Sequence, residues 1–178
     1  MNVTIDHNCI IDALQGTPAG MAVLAASRSL SHTCFVVNAG ASERLSDGTR
    51  PEEYARFEEL LRCAGLDHLP RLDPPFIWGV TFEKRSVFPE HKADVLAREI
   101  EDALFPDPMQ MFLGCSDDLD SKAGLRILNR LCDILGMWCH IHYGNDIFCT
   151  SDRNFHKSEN KEALLRLGAN RICTPSEL

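Results

Sequence analysis

The chain has 178 residues, a formal net charge of −8, and 44% hydrophobic against 25% charged residues. This composition is typical of a globular protein and excludes a disordered or fibrous chain. The length fits one domain with room for an insertion. No apolar run approaches the roughly 18 residues that a membrane-spanning helix needs. The N-terminus, with an acid at Asp6 and no basic residue before it, does not fit a secretory signal.

Eight cysteines raise the question of disulfides or a zinc site. None forms a Cys-x-x-Cys pair, and most lie within apolar segments, as Cys34, Cys149 and Cys173 do. A free cysteine behaves as a small buried hydrophobic residue. The sequence therefore predicts buried, reduced thiols, and a reducing cytoplasm is the expected location.

The first part of the chain predicts two strands, each followed by helices. The β-branched run before Asp6 and the run TCFVVN are typical of buried strands. A proline start and acids in the first turn favour a helix that begins at Pro51. In chain order the predicted elements are a strand (3–5), helices (9–14 and 19–30), a strand (33–38), the start of a helix (39–45) and a helix (51–63).

The second part of the chain predicts three more strands. In order, the predicted elements are a proline-rich loop (66–75), a strand (76–82), a helix (91–104), a loop (105–120), a long helix (121–142), a strand (146–150), a helix (159–167) and a strand (171–174). Strands separated by helices imply a parallel sheet that is covered on both faces. The fold class predicted is α/β, with three layers and a central, mostly parallel sheet.

Four acids lie at positions where the carboxyl ends of the predicted parallel strands would bring them close together. Asp6 directly follows the first strand, and Asp152 follows the strand 146–150 after one intervening residue. Glu43 lies one helical turn beyond the second strand, and Asp133 interrupts an apolar stretch of the long helix. Ligands of parallel sheets bind at the carboxyl ends of the strands. The four acids are therefore candidate site residues.

Each acid taken alone has an ordinary structural explanation. Asp6 could be a turn residue, Glu43 a solvated helix acid, Asp133 an acid on the exposed side of its helix, and Asp152 a helix N-cap. Converging carboxylates, however, repel one another, and some would stay protonated unless a cation neutralises them. Mg²⁺ and Mn²⁺ prefer such hard oxygen ligands, and a bound dication can promote phosphodiester hydrolysis.

Both ends of the chain resemble the PIN-domain family. The segment IDHNCIID (5–12) is similar to the family's opening strand with its Asp-x-Asn. Residues 133–152 are similar to the stretch that carries the third and fourth acids and ends in Thr-x-Asp, and Phe155 matches the aromatic residue that follows. Residues 164–178 resemble the closing Leu-Gly, strand, Thr-Pro and Glu-Leu pattern. The long gap between the second and third acids then indicates a single PIN-like domain (1–178) with an insertion at 66–120.

This resemblance implies a Rossmann-like fold and a divalent-metal-dependent endoribonuclease that uses Mg²⁺ or Mn²⁺. The catalytic and metal-binding roles fall on Asp6, Glu43, Asp133 and Asp152. Asn8 and Ser151 are the expected supporting polar residues. The basic residues expected to contact RNA are Arg153, Lys157, Lys84 and Arg85. The chain could be the toxin of a toxin–antitoxin pair; the partners considered are RNA, a protein antitoxin and a second copy in a homodimer, with no membrane partner.

Two other functions are weighed against this one. A PIN-like binding or scaffold protein with an idle metal site is favoured by the net charge of −8, because phosphates favour a basic surface. A nucleotide-binding α/β protein is disfavoured because no glycine-rich phosphate loop follows any strand.

Two further motifs are predicted to be structural. His140 and His142 lie on different faces of one helix, so packing or surface roles are expected rather than metal binding. The cluster Asp117, Asp118 and Asp120 lacks the glycine and glutamate of a calcium loop and is predicted to cap a helix.

Overall fold

The computed structural model describes residues 1–43, 54–88, 92–106 and 122–178. These ranges contain one five-stranded sheet, in the order β3-β2-β1-β4-β5, in which every neighbouring pair is parallel. The strands are Asn2–Ile5 (β1), Thr33–Val37 (β2), Arg71–Leu72 (β3), Ile147–Cys149 (β4) and Arg171–Cys173 (β5). The predicted α/β class with a central parallel sheet is confirmed.

Helices cover both faces of the sheet and give the predicted three layers. The described helices are His7–Gln15 (α1), Pro18–Ser27 (α2), Tyr54–Cys63 (α3), Lys92–Leu104 (α4), Lys122–His142 (α5), Arg153–His156 (α6) and Ser158–Arg166 (α7). Residues of α1, α2 and α3 pack on one face, against side chains such as Val3 and Ile147. Residues of α4, α5 and α7 pack on the other face, against Phe148 and Ile172. The alternation of strand side chains therefore separates two cores.

One predicted strand is wrong. Residues 76–82 form turns, and the edge strand of the sheet is instead β3, within the segment predicted as a loop. Gly79 has a φ of +73°, which turns the chain within the apolar run. The run is apolar because Val80 is buried and Ile77 packs against the core from within the turns. A short apolar run does not by itself distinguish a strand from a buried turn.

The described parts of the other elements match the predictions to within a few residues, and positions 51, 91 and 121, where three helices are predicted to begin, lie outside the described ranges. The helix predicted to start at 39–45 is a 3-10 turn at Asn38–Ala41, and residues 44 and 45 lie outside the described ranges. The short helix α6 was not predicted. Most of the loop 105–120, with its aspartate cluster, also lies outside the described ranges.

The segment predicted as an insertion, 66–120, contributes to the sheet and to the core. Its strand β3 pairs with β2, and its helix α4 packs beside α5 and α7. Ile100 and Leu104 of α4 are fully buried in the core.

In the described part of the chain, no single helix is long and apolar enough to cross a membrane, although the bent pair α1–α2, at 108°, passes that test on length and composition. The described cysteines form no disulfide with one another, and all but Cys63 are buried. Burial, as predicted, is therefore found for the described cysteines other than Cys63.

A buried polar network joins the sheet to the end of α5. The Thr4 hydroxyl accepts a hydrogen bond from the Asn145 side-chain amide (2.8 Å) and lies 3.0 Å from His140 Nδ1. His140 Nε2 lies 2.8 Å from the Ala169 carbonyl, which can only accept, so Nε2 carries the proton and Nδ1 accepts from Thr4. His140 has no exposed surface, as expected for a packing residue. Burial lowers the pKa of His140 against the opposing effects of the Ala169 carbonyl and Asp146.

We expect His140 to make the protein less stable at acidic pH. The unfolded histidine takes up a proton near pH 6.5, whereas the folded imidazole resists protonation. Its stabilising contribution is therefore complete above pH 6.5 and decreases below it, by up to about 1.4 kcal/mol per pH unit. Urea unfolding measures the difference in free energy of unfolding between wild type and His140→Gln, and this difference should be smaller at pH 5.5 than at pH 7.5. His68→Gln, a substitution of an exposed histidine, is the control, and a difference in free energy of unfolding between wild type and His140→Gln that stays constant with pH would contradict the prediction.

Candidate metal centre

Two of the predicted acids, Asp6 and Asp152, follow neighbouring strands at the carboxyl edge of the sheet. Asp6 directly follows β1 and caps α1, with Oδ1 accepting from the His7 amide at 2.8 Å. Asp152 follows β4 after two residues and caps α6, with Oδ1 accepting from the Asn154 amide at 2.8 Å. Because β1 and β4 are hydrogen-bonded neighbours, the two carboxylates share one edge.

Thr150 ties these two acids together. Its hydroxyl donates to Asp6 Oδ2 at 2.6 Å and accepts from the Asp152 amide at 3.0 Å. The Asp6 amide also donates to the Cys149 carbonyl at 3.0 Å. Thr150 is fully buried, so these bonds are shielded from water. Sequence reasoning named its neighbour Ser151 and missed Thr150, although the Thr-x-Asp pattern after a strand was the available signal.

Glu43 and Asp133 reach the same edge from two other elements. Glu43 follows the 3-10 turn after β2, and its amide donates to the Gly40 carbonyl at 3.3 Å. Asp133 lies on α5 between buried residues, and the adjacent Cys132 thiol lies 3.5 Å from the Ala39 carbonyl of that turn. The contact between α5 and the turn therefore brings Asp133 toward Glu43.

The four carboxyls are electrostatically coupled. Burial, with a smaller effect of the Asp152 charge, raises the pKa of Asp6 to about 6 despite hydrogen bonds that lower it. Burial and then the charges of Asp6 and Asp152 raise the pKa of Glu43 to about 8. Burial, followed by the charges of the other three acids, raises the pKa of Asp133 well above its usual value. The structure therefore brings all four predicted acids within electrostatic range of one another.

In the described ranges, no lysine or arginine is paired with the carboxyl of Asp6, Glu43 or Asp133. Neither the Asp133 carboxyl nor the Glu43 carboxyl makes a hydrogen bond or ion pair with a described residue, and no lysine or arginine contributes to the pKa shifts of Asp6, Glu43 or Asp133. Partly buried carboxylates without a partner are unfavourable unless they are protonated or bound to a cation. The donors are hard oxygens, so the set fits Mg²⁺ or Mn²⁺ better than a softer metal.

The spacing of the acids is wider than that of a metal-ligand set. In the described ranges, no three His, Cys, Asp or Glu side chains are grouped closely enough to hold a metal ion. Asp6 and Asp152 each direct one oxygen toward a helix N-terminus. Cation binding would have to draw the carboxyls closer together.

The predicted supporting residues differ in what they contact. The Asn8 side chain lowers the pKa of Asp6, in the direction opposite to burial. The Ser151 hydroxyl instead donates to Asp12 Oδ2 at 2.8 Å and links the loop after β4 to α1. Asn8 therefore acts directly on the acid cluster, whereas Ser151 contacts an acid outside it.

The predicted RNA-contacting residues form two exposed groups. Arg153 and Lys157 lie just beyond Asp152, and the Lys157 ammonium donates to Asn154 Oδ1 at 2.9 Å. Lys84 and Arg85 lie in the loop after β3, and the Arg85 guanidinium is 4.7 Å from the centre of the Tyr54 ring. Basic residues therefore follow two of the strands at the carboxyl edge.

We expect Thr150→Val to weaken both the fold and metal binding. Valine keeps the shape but removes the hydrogen bonds of Thr150 to Asp6 Oδ2 and to the Asp152 backbone amide, at a cost of about 1–3 kcal/mol. Loss of such an outer-sphere partner costs about 10- to 100-fold in metal affinity or activity. Thr150→Ser should restore both properties.

The matched control is Thr4→Val, because it removes two buried hydrogen bonds in the other network without touching the acids. Urea unfolding and Mn²⁺ titration calorimetry measure the two effects separately. If Thr4→Val weakened Mn²⁺ binding as much as Thr150→Val does, Thr150 would have no specific positioning role.

Comparisons of the chain with protein-family models, with curated proteins and with solved structures find no match.

Proposed function

We propose that the protein is a divalent-metal-dependent endoribonuclease of the PIN type, with a Mg²⁺ or Mn²⁺ centre formed by Asp6, Glu43, Asp133 and Asp152. The observation that carries the proposal is the coupling of these four carboxyls without a described basic partner. Their position at the carboxyl edge of a parallel sheet supports it, because that edge is where such folds bind ligands. The resemblance of both chain ends to the PIN-domain family supports it independently.

The residues of the site would have different roles. A divalent cation bound there supplies an activated water and stabilises charge on the phosphoryl oxygens. Thr150 fixes the positions of Asp6 and Asp152 relative to each other by hydrogen bonds to both, and Asn8 favours the charged form of Asp6. Arg153 and Lys157 would position the phosphates of the RNA backbone beside Asp152.

The proposal extends to the biological setting. The described cysteines form no disulfide with one another, which fits a reducing cytoplasm. By resemblance, the chain would serve as the toxin of a toxin–antitoxin pair, with a protein antitoxin and a second copy of itself as partners.

The second candidate is a PIN-like binding or scaffold protein. The net charge of −8 and the wide spacing of the acids favour it. In that case the carboxyls would stay partly protonated at neutral pH, in agreement with the raised pKa of Glu43, and no cation would be required.

Cleavage of a labelled single-stranded RNA with Mg²⁺ or Mn²⁺ tests the proposal. Wild type should cut, and Asp6→Asn and Asp152→Asn should not. The exposed Asp102→Asn on α4 is the matched control and should cut normally. Because Asp6 and Asp152 also cap helices, circular dichroism should verify that both variants are folded. Metal-dependent cutting that persists in both variants would refute the site. The absence of cutting, together with no thermal stabilisation by either metal, would favour the scaffold.

A further inference from the structure

The loop after β3 exposes a group of aromatic side chains. Trp78 is 87% exposed and Phe88 is 74% exposed. The ring centre of Phe76 lies 5.0 Å from that of Phe88 and 6.4 Å from that of Trp78, so the three form one aromatic platform. Exposed aromatic side chains in contact with one another are unusual on a protein surface and are typical of a binding site.

The aromatic platform is built on a well-bonded loop. The Phe76 amide donates to the Val87 carbonyl at 2.8 Å, and the Val87 amide donates to the Pro74 carbonyl at 2.9 Å. The Ile77 amide donates to the Thr81 hydroxyl at 2.8 Å. These bonds close the loop at its base.

The loop is attached to the elements that carry the acid cluster. The Ser42 hydroxyl, one residue before Glu43, donates to the Val80 carbonyl. The Asn38 side-chain amide, directly after β2, donates to Asp73 Oδ1 at 2.5 Å. The aromatic platform therefore belongs to the carboxyl edge of the sheet, on the side of Glu43.

Two basic side chains lie in the same loop as the aromatic platform. Lys84 and Arg85 are exposed in the same loop. Arg85 lies within 3.6 Å of the Glu58 carboxylate and over the Tyr54 ring, whereas the Lys84 side chain makes no hydrogen bond or ion pair with a described residue. In a chain with a net charge of −8, this pair provides local attraction for phosphate. Exposed rings beside cations are typical of surfaces that bind single-stranded nucleic acid, where each unpaired base can stack on a ring.

We propose that the aromatic platform of Phe76, Trp78 and Phe88 binds the unpaired bases of a single-stranded RNA, with Lys84 at its backbone phosphate, beside the acid cluster. This proposal rests on the proposed function for its substrate, which is RNA. The stacking of bases on the rings is tested under conditions in which no RNA is cleaved. A duplex would bind more weakly, because its bases are already stacked on one another.

Intrinsic fluorescence provides the first test, because the two tryptophans differ in exposure. Trp78 is exposed, whereas Trp138 is 1% exposed and buried in the core. Titration with a 12-nucleotide oligouridylate in EDTA, where no metal-dependent cleavage occurs, should quench the emission of Trp78. Trp78→Phe should abolish this quenching while largely keeping the affinity, because phenylalanine still stacks.

Fluorescence anisotropy with the labelled oligouridylate measures the affinity in the same buffer. Trp78→Ala and Phe88→Ala should each weaken binding by roughly 5- to 150-fold, which corresponds to ~1–3 kcal/mol per stacked base. Leu30→Ala is the control: Leu30 is fully exposed but precedes β2, at the opposite edge of the sheet, and should bind normally. A duplex of the same length should bind more weakly and be little affected by any of the three substitutions.

The outcomes separate this proposal from the proposed function. If Trp78→Ala and Phe88→Ala bind like Leu30→Ala, the stacking proposal is wrong even where wild type cuts RNA. If wild type cuts no RNA but the two variants lose oligouridylate binding, the platform stands and the nuclease proposal fails. If both substitutions instead convert an oligomer to a monomer without changing RNA binding, the platform is a protein interface and the proposal is overturned.

Discussion

Asp133→Asn is expected to abolish metal-dependent RNA cleavage while making the metal-free protein more stable. Asp133 caps no helix and has no described hydrogen-bond partner, so its replacement removes charge without removing a structural bond. Cation stabilisation of a phosphoryl transition state is worth several kcal/mol. At about 1.4 kcal/mol per tenfold change in rate, the loss should be about a thousandfold.

The gain in stability has a separate cause. Burial and three neighbouring acids raise the pKa of Asp133, so its ionised form is unfavourable in the fold. Asparagine has nearly the same shape and no charge, and it removes part of this repulsion. Thermal unfolding in EDTA should therefore show a higher midpoint for Asp133→Asn than for wild type. Added Mn²⁺ should stabilise wild type and have little effect on the variant.

The pH dependence of the metal-free protein follows from the same charges. A carboxyl whose pKa is raised by folding destabilises the fold as pH rises, because the folded state retains a proton that the unfolded state has lost. For Glu43 this interval runs from pH 4.5, its usual pKa, to about pH 8. For Asp133 the corresponding interval begins at pH 3.8, its usual pKa, so the stability difference between wild type and Asp133→Asn should widen as the pH rises above that value. Asp102→Asn is the control, and a stability change equal to that of Asp133→Asn would contradict the coupling of the acids.

Gly20→Ala is expected to destabilise the protein, although alanine favours a helix over glycine by up to about 1 kcal/mol. Gly20 lies in the first turn of α2, and its amide donates to the capping Thr17 hydroxyl at 3.1 Å. A methyl group there would lie 2.2 Å from the Asp12 carbonyl oxygen and 2.4 Å from the Ala13 amide nitrogen. Both atoms are helix backbone, so α1 and α2 would have to separate.

This overlap outweighs the gain in helix propensity. Overpacking a core costs about 1–3 kcal/mol and sometimes more, and here the obstacle is backbone rather than a flexible side chain. We expect a net loss of about 2 kcal/mol, which for a chain of this length lowers the melting temperature by roughly 4–8 °C. Because α1 begins beside Asp6, RNA cleavage should fall as well.

Gly136→Ala is the matched control on α5. A methyl group at Gly136 would meet no heavy atom closer than Phe148 Cζ at 4.0 Å, which is an ordinary contact. The variant should be as stable as wild type or more so, and it should cut RNA normally although it lies three residues from Asp133. Differential scanning calorimetry compares the three proteins. A Gly20→Ala protein as stable as Gly136→Ala would contradict the close crossing of α1 and α2.

Local signals in the sequence located most of the elements and two of the acids. The strand that ends at Asp6 and the strand that leads to Asp152 are apolar runs followed by polar residues, and such patterns depend on a few adjacent positions. The rule that ligands bind at the carboxyl ends of parallel strands then placed both acids on one edge. Glu43 depended on the family resemblance, and its pKa shift now links it to Asp6 and Asp152.

The apolar run 76–82 shows where local signals failed. Its composition suits a strand, but the tertiary structure uses it as a set of turns that bury Val80 and expose Trp78. The same residues were therefore predicted as a buried strand, and for that reason their exposed aromatic side chains were not predicted. Whether an apolar side chain faces a core or the solvent depends on what packs against it, and residues adjacent in sequence do not determine that.

The sequence by itself determined the α/β class, the positions of four of the five strands, and the placement of Asp6 and Asp152 at the carboxyl ends of neighbouring strands, because each follows from local periodicity and from rules for parallel sheets. Only the tertiary structure decided that Thr150 bridges Asp6 and Asp152, that α5 brings Asp133 toward Glu43, and that β3 forms the sheet edge. These contacts join residues far apart in the chain. They depend on which strands pair and on which helix covers them, so no local pattern encodes them.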